Sequence, residues 1–328
     1  LFTDSPEHVY FGEGNTLYAL IGSSIFVWIV HWLVSQGIKE AALVNLIATI
    51  AKIVPLVIFI ACSFVAFKLD LFKLNFIDFT LQVPVWEQVR NLMLITLWVF
   101  TGIEGAVVLS SRAKNRSDIG RATVLGVLLA LSFYVMVTVL AYGVTGRAEI
   151  ANMHNPSMAT ILEQLIGLPG TIIITLGLII SVSSSYLSWT LFATEIPFLA
   201  AKNKAFPAVF LKTNANGVPI ASLWLTSIVV QVSLIAVCFF DKNYTQLLLI
   251  SSVMILLPYF LVSAFYLKES VRNKRSKHVW IASVAVIYAA WLLYAAGVSL
   301  LLLSGCLYLL GLLIFFYSRL SHKKVAFE

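Results

Sequence analysis

Long apolar runs separated by short polar stretches recur along this chain, at about residues 16–35, 42–66, 91–110, 122–143, 170–196, 219–240, 244–267, 279–296 and 298–318. Each is long enough to cross the roughly 30 Å hydrocarbon core of a bilayer as a helix, so the pattern predicts nine transmembrane helices. The last two meet at a very short turn near Gly297, which predicts an antiparallel hairpin. Pro169 and Pro219 stand at helix starts, where a missing N–H costs nothing. Pro55 and Pro258 fall inside spans and predict kinks or freed carbonyls. Pro197 and Pro207 bracket the polar stretch 199–205, which is expected to end the fifth span. Residues 1–15 are polar and acidic, with Asp4, Glu7 and Glu13.

Composition turns this pattern into a fold class. The 328 residues are 60% hydrophobic and 11% charged, with a mean hydropathy of +0.94. Soluble domains carry about 25% charged residues, so the chain is expected to be an all-α integral membrane protein, a single transmembrane domain over residues 1–328. Phe, Trp and Tyr reach 13%, as aromatic belts at the two interfaces require. The net charge of +7 sits in short loops between spans, which is the signature of orientation in a bilayer rather than of a nucleic-acid surface.

Those loops alternate. One set holds Lys39, then Arg112, Lys114, Arg116 and Arg121, then Lys202, Lys204 and Lys212, then Lys268, Arg272, Lys274, Arg275 and Lys277, and finally Arg319, Lys323 and Lys324. The alternate set holds only Lys68, Lys73, Arg90, Arg147 and Lys242. Sixteen against five puts the first set in the cytoplasm, the N-terminus of the chain outside and its C-terminus inside, in a multi-pass cell-membrane protein. An odd number of helices is expected to precede this chain, which begins with Leu rather than Met.

Candidate chemistry concentrates in the third span, at Trp98-Val99-Phe100-Thr101-Gly102-Ile103-Glu104-Gly105. A carboxylate in hydrocarbon persists only where it faces a partner or a wet cavity. Two glycines beside it let a helix open and offer bare N–H and C=O groups to a solute. Lys52 in the second span and Glu104 are the two ionisable residues expected deep in spans. They either pair with each other or mark the path of an ion, a proton or a charged substrate. In the fifth span Trp189 shares a face with Ser181 and Ser185, and Ser188 adjoins it. Serines alone serve helix packing equally well, but an indole beside them makes a wall that attracts guanidinium or ammonium. Phe100 is a candidate gate, and Ser251 and Ser252, before the Pro258 kink, are weaker candidates.

Enzyme and metal chemistry find little support. His8, His31, His154, His278 and His322 form no HExxH, and there is no Walker motif or strand-linked GxGxxG. Cys62, Cys238 and Cys306 are odd in number, far apart and set in apolar runs, without disulfide or metal-ligand spacing. No cofactor is expected.

Leu97 to Gly105 with the following basic loop Ser111-Arg112-Ala113-Lys114-Asn115 resembles the sixth helix of amino acid–polyamine–organocation transporters. Within them it resembles the basic amino acid antiporters, and among those the arginine/ornithine exchangers. Ser188-Trp189-Thr190-Leu191 running on to Phe206-Pro207 resembles their eighth helix and the loop after it, Ala51-Lys52-Ile53-Val54-Pro55 the fifth, and Leu257-Pro258-Tyr259 the tenth. The resemblance spans almost the whole chain, in order. It implies a five-plus-five inverted-repeat fold of twelve helices, of which these spans are the fourth to the twelfth, and hence an N-terminally truncated fragment that does not transport by itself.

It also implies roles. Trp98 would pack on or gate the substrate, the backbone around Thr101 and Gly102 would receive its amino group, and Glu104 would switch the pocket between inward and outward states. Trp189 would contact the distal cationic group, and Lys52 would occupy a sodium position. Ser251 would lie near the substrate side chain. The function expected is exchange of cationic amino acids, arginine for ornithine, with no cofactor. The alternatives are a lysine, histidine or polyamine exchanger, a proton-coupled permease of the same fold, and a non-transporting membrane sensor or scaffold. A homodimer is compatible with this reading, but nothing in the spans demands one.

Overall fold

The computed structural model describes residues 16–76, 83–108, 110, 115–153, 156–240 and 244–325. The acidic start with Asp4, Glu7 and Glu13 and most of the basic loop Ser111–Asn115 lie outside the described residues. In chain order the helices are α1 (Leu17–Gln36), α2 (Ile38–Val65), α3 (Leu69–Phe76), α4 (Val85–Phe100), α5 (Gly105–Val108), α6 (Arg116–Val144) and α7 (Arg147–Asn152). They continue with α8 (Ser157–Ile166), α9 (Leu168–Lys202), α10 (Ile220–Phe240), α11 (Tyr244–Arg272), α12 (Ser276–Ala296) and α13 (Val298–Val325). Extended pairing among the described residues is confined to one bridge, Thr213 with Pro219.

Nine helical segments among the described residues are long and apolar enough to cross a membrane, at the places the hydropathy pattern marks. Local signals explain several ends. The Thr16 side chain accepts a hydrogen bond from the Ala19 N–H at 3.2 Å and caps α1. Gly297, with φ +77°, makes the one-residue turn between α12 and α13, a backbone state open to glycine at little cost. Pro169 sits in the first turn of α9. Pro55 and Pro258 lie inside α2 and α11, as expected.

The fifth span ends inside the polar stretch 199–205, as expected: α9 runs through Pro197 to Lys202. At 35 residues and about 1.5 Å per residue, α9 is about 52 Å long and outreaches the hydrocarbon core. One expectation is corrected: Glu195, within the expected span, is buried at 2% exposure and joins Lys52 and Glu104 as an ionisable group inside a span.

Inside a membrane the hydrophobic effect does not drive helices together, so close packing and hydrogen bonds carry association. Helix α9 is the spine of this arrangement. Its buried residues Gly170, Ile174, Gly177, Ser184, Leu187, Leu191 and Thr194 recur every three or four positions, with one gap, and make a continuous stripe. The upper stripe packs with Phe59 of α2 and Ile161 and Leu162 of α8. The lower stripe packs with Val30 and Val34 of α1 and Leu223 of α10. A ladder of polar side chains joins α1 to α10: Trp28 Nε1 donates to Gln231, Gln231 donates to Ser24, and His31 Nδ1 lies 2.8 Å from Ser227 Oγ. A separate cluster joins Leu94 and Leu97 of α4 to Val253 and Leu256 of α11 and Leu292 of α12. The α4 break described next therefore lies between the α9 spine and the α11–α12 pair.

Candidate functional site

Helix α4 stops at Phe100 and α5 resumes at Gly105, so the third span is open for the four residues Thr101–Glu104. Thr101 is extended (φ −63°, ψ 134°), and Gly102 turns the chain with φ +107°. A side chain is strained at that φ, which accounts for glycine there. An ideal Cβ built on Gly102 would stand 3.4 Å from Cζ2 of Trp189, so the indole on α9 lies against the break. Gly105 is buried, and a Cβ there would stand 2.2 Å from the Phe192 ring. Trp189 and Phe192 meet edge to face at 5.9 Å and 79°. The two glycines thus let an aromatic pair from α9 reach the backbone of the opened span.

Glu104 closes the arrangement from the other side. The Gly102 N–H donates to Glu104 Oε2 at 3.0 Å, and the Tyr259 O–H donates to the same oxygen at 2.9 Å. Hydrogen bonds to a charged acceptor contribute about 1.5–3 kcal/mol each, so the carboxylate ties the break to α11. No hydrogen bond to the carbonyls of Thr101 or Ile103 is formed among the described residues. Two carbonyl dipoles beside a carboxylate form a surface suited to an ammonium group. Trp189, 44% exposed, adds an indole to it.

The remaining expected residues fall around this centre. Trp98, 37% exposed, precedes the break by one turn. Phe100 packs edge to face on Tyr134 of α6 at 5.4 Å, while the Tyr134 O–H donates to the Val99 carbonyl at 3.2 Å. Ser185 is half-buried one turn before Trp189, and Ser251 is exposed two turns before Tyr259. Lys52 is half-buried in α2 and makes no ion pair with Glu104 among the described residues. The two ionisable groups are held separately.

Three residues of this region were not singled out from the sequence. Tyr259 stands directly after Pro258, in a stretch already marked as unusual. Phe192 lies three residues after Trp189 and so on the same helix face. Asn45 accepts hydrogen bonds from Ser184 at 2.7 Å and Ser188 at 3.0 Å; an amide in an apolar span was itself a usable signal.

An opened span, a carboxylate within it and an aromatic wall from a neighbouring helix are the parts of a solute site in a membrane. Against known proteins, the family model described as "Amino acid permease" matches residues 3–324. The chain belongs to the amino acid permease family. The permease is 52% identical over 321 residues to the protein of Escherichia coli (strain K12) named "Putative arginine/ornithine antiporter", covering 98% of this chain and 69% of that protein. It is 45% identical over 323 residues to the arginine/ornithine antiporter of Pseudomonas aeruginosa, covering 93% and 67%. It is 41% identical over 318 residues to an arginine/agmatine antiporter of Chlamydia caviae, covering 92% and 65%. The permease therefore spans about two thirds of the length of the relatives it matches, and it is a multi-pass helical membrane protein.

Proposed function

We propose that this permease works as an antiporter of cationic amino acids, taking arginine in exchange for ornithine. The observation that carries the reading is the opened Thr101–Glu104 segment, with Trp189 laid against Gly102 and Glu104 bridging to Tyr259. In this reading the α-ammonium of the substrate takes the carbonyls of Thr101 and Ile103, which replace its lost water. The distal cation lies on the Trp189 indole, an attraction of about 0.5–2 kcal/mol. Trp98 and Phe100 flank the opening, Ser185 and Ser251 border it, and Lys52 stands in the bundle where a sodium ion would otherwise sit. Glu104 couples the two access states, because its bond to Tyr259 joins the broken span to α11 and must change when those helices separate.

Residues 1–328 form the larger part of a single transporter domain, with the Lys- and Arg-rich loops and the C-terminus in the cytoplasm. No covalent chemistry and no cofactor enter the cycle. Arginine/agmatine exchange is the second reading, favoured by the 41% identity to the Chlamydia caviae antiporter.

The test is uptake of labelled arginine by the intact protein in liposomes loaded with ornithine, with agmatine or with nothing. Uptake that requires internal ornithine is the expected result. Preference for internal agmatine moves the assignment to the second reading, and equal uptake into empty vesicles removes the antiport.

A further inference from the structure

The contact between α2 and α9 carries a device that the transport reading does not use. Asn45, half-buried in α2, presents a single oxygen to two hydroxyls of α9, those of Ser184 at 2.7 Å and Ser188 at 3.0 Å. Ser184 is buried at 2% exposure, where a hydroxyl without a partner is costly. Farther along the same contact the Pro55 ring fills the place of a side chain at Gly177, with Cγ 2.3 Å from an ideal Cβ. From Asn45 to Pro55 the numbers rise along α2 while from Ser184 to Gly177 they fall along α9, so the helices run antiparallel. The two contacts together fix both their register and their rotation. A slip of one residue turns a helix by about 100°. Ser188 is bonded directly to the residue whose indole lies on Gly102.

We propose that Asn45 is a positioning residue for exchange: by holding Ser184 and Ser188 it sets the rotation of α9 and keeps the Trp189 indole against the opened span. The contact is also built to loosen. The Ser188 hydroxyl has one proton and two acceptors in reach, Asn45 Oδ1 at 3.0 Å and the Ser184 carbonyl at 3.0 Å. When Asn45 shifts away from Ser188, that hydroxyl keeps the Ser184 carbonyl of its own helix and is not orphaned in the membrane. Ser184 remains as the tether.

For its transport readout this inference rests on the exchange reading above, so the test includes a measurement that needs no transport. The intact protein is labelled with 5-fluorotryptophan, and the Trp189 resonance, among those of the eight tryptophans of this sequence, is assigned by its loss in Trp189→Phe. Asn45→Leu is expected to move the Trp189 resonance and leave those of the other seven in place. In liposomes the same variant is expected to raise the KM for arginine about tenfold. Asn45→Gln, which keeps an amide oxygen, restores both readouts. Ser184→Ala with Ser188→Ala reproduces the Asn45→Leu effect, and combining all three adds nothing further, as partners in one contact require. Should Asn45→Leu fail to fold, the serine pair carries the same test. A Trp189 resonance that stays in place overturns the proposal, as does a displacement of all eight together, which marks general loosening. Wild-type vesicles that exchange no arginine remove the exchange reading, and the resonance alone then decides the role of Asn45.

Discussion

Glu104 and Gly102 act on one another through a span of two residues. The glycine at φ +107° aims its N–H at the carboxylate, and the carboxylate holds the opened backbone in the shape that exposes the Thr101 and Ile103 carbonyls. Alanine at position 102 must adopt a backbone state costing about 1–3 kcal/mol and meets Trp189 at its Cβ. Gly102→Ala is expected to lower arginine exchange about a hundredfold, while the variant still inserts in the membrane, as read by its yield and elution profile. Tyr259→Phe removes one of the two hydrogen bonds on Glu104 and is expected to slow the interconversion of access states, with a smaller effect on substrate affinity; equilibrium binding beside exchange rates separates the two. Glu104→Gln keeps an acceptor oxygen for both donors but removes the negative charge beside the Thr101 and Ile103 carbonyls. This variant is expected to bind arginine more weakly in equilibrium measurements, and an unchanged affinity removes the carboxylate from the ammonium site. The polar and glycine residues of this centre were legible because each is anomalous in an apolar span. Tyr259 and Phe192 were not, because a tyrosine or phenylalanine in a membrane helix is ordinary until a partner is seen.

At the scale of helices, spans were readable because hydrocarbon demands length and apolarity, and both are written in the sequence. Helix ends were less so. The third span begins at Val85, ahead of the apolar run, because the first turn of a helix tolerates polar residues such as Glu87. The fifth continues past Pro197 to Lys202, inside the polar stretch, and Glu195, ahead of the proline, is buried beside Thr194. The buried stripe of α9 was hidden because the helix is apolar on all sides, and its contact face is distinguished only by small residues. The same feature makes α9 sensitive to volume. A Cβ on Gly105 overlaps the Phe192 ring, so Gly105→Ala is expected to destabilise by about 1–3 kcal/mol, read as a fall in the thermal unfolding midpoint in detergent. Phe192→Leu, which frees that space, is expected to restore most of the loss in the double variant. An additive pair of losses contradicts the packing account.

Taken whole, the molecule sets a broken span between a long spine and a pair of partner helices, and its loops distribute positive charge unevenly between the two sides. If the Lys- and Arg-rich loops face the cytoplasm, Lys277→Cys in a background lacking Cys62, Cys238 and Cys306 is labelled by an impermeant thiol reagent only after cells are opened. Ala148→Cys, in the short helix α7 that follows the fourth span, is labelled from outside. The inverse pattern reverses the orientation. What holds fold and function together is the claim that arginine occupies the space between the Thr101–Glu104 break and the Trp189 face. The measurement that tests it most directly is protection of Ser185→Cys, one turn from Trp189, against a small thiol reagent in the same cysteine-free background. Arginine is expected to slow labelling, with half-protection at the concentration that half-saturates exchange, and ornithine to do the same. Labelling that arginine leaves unchanged, in a variant that still exchanges, contradicts the placement of the substrate.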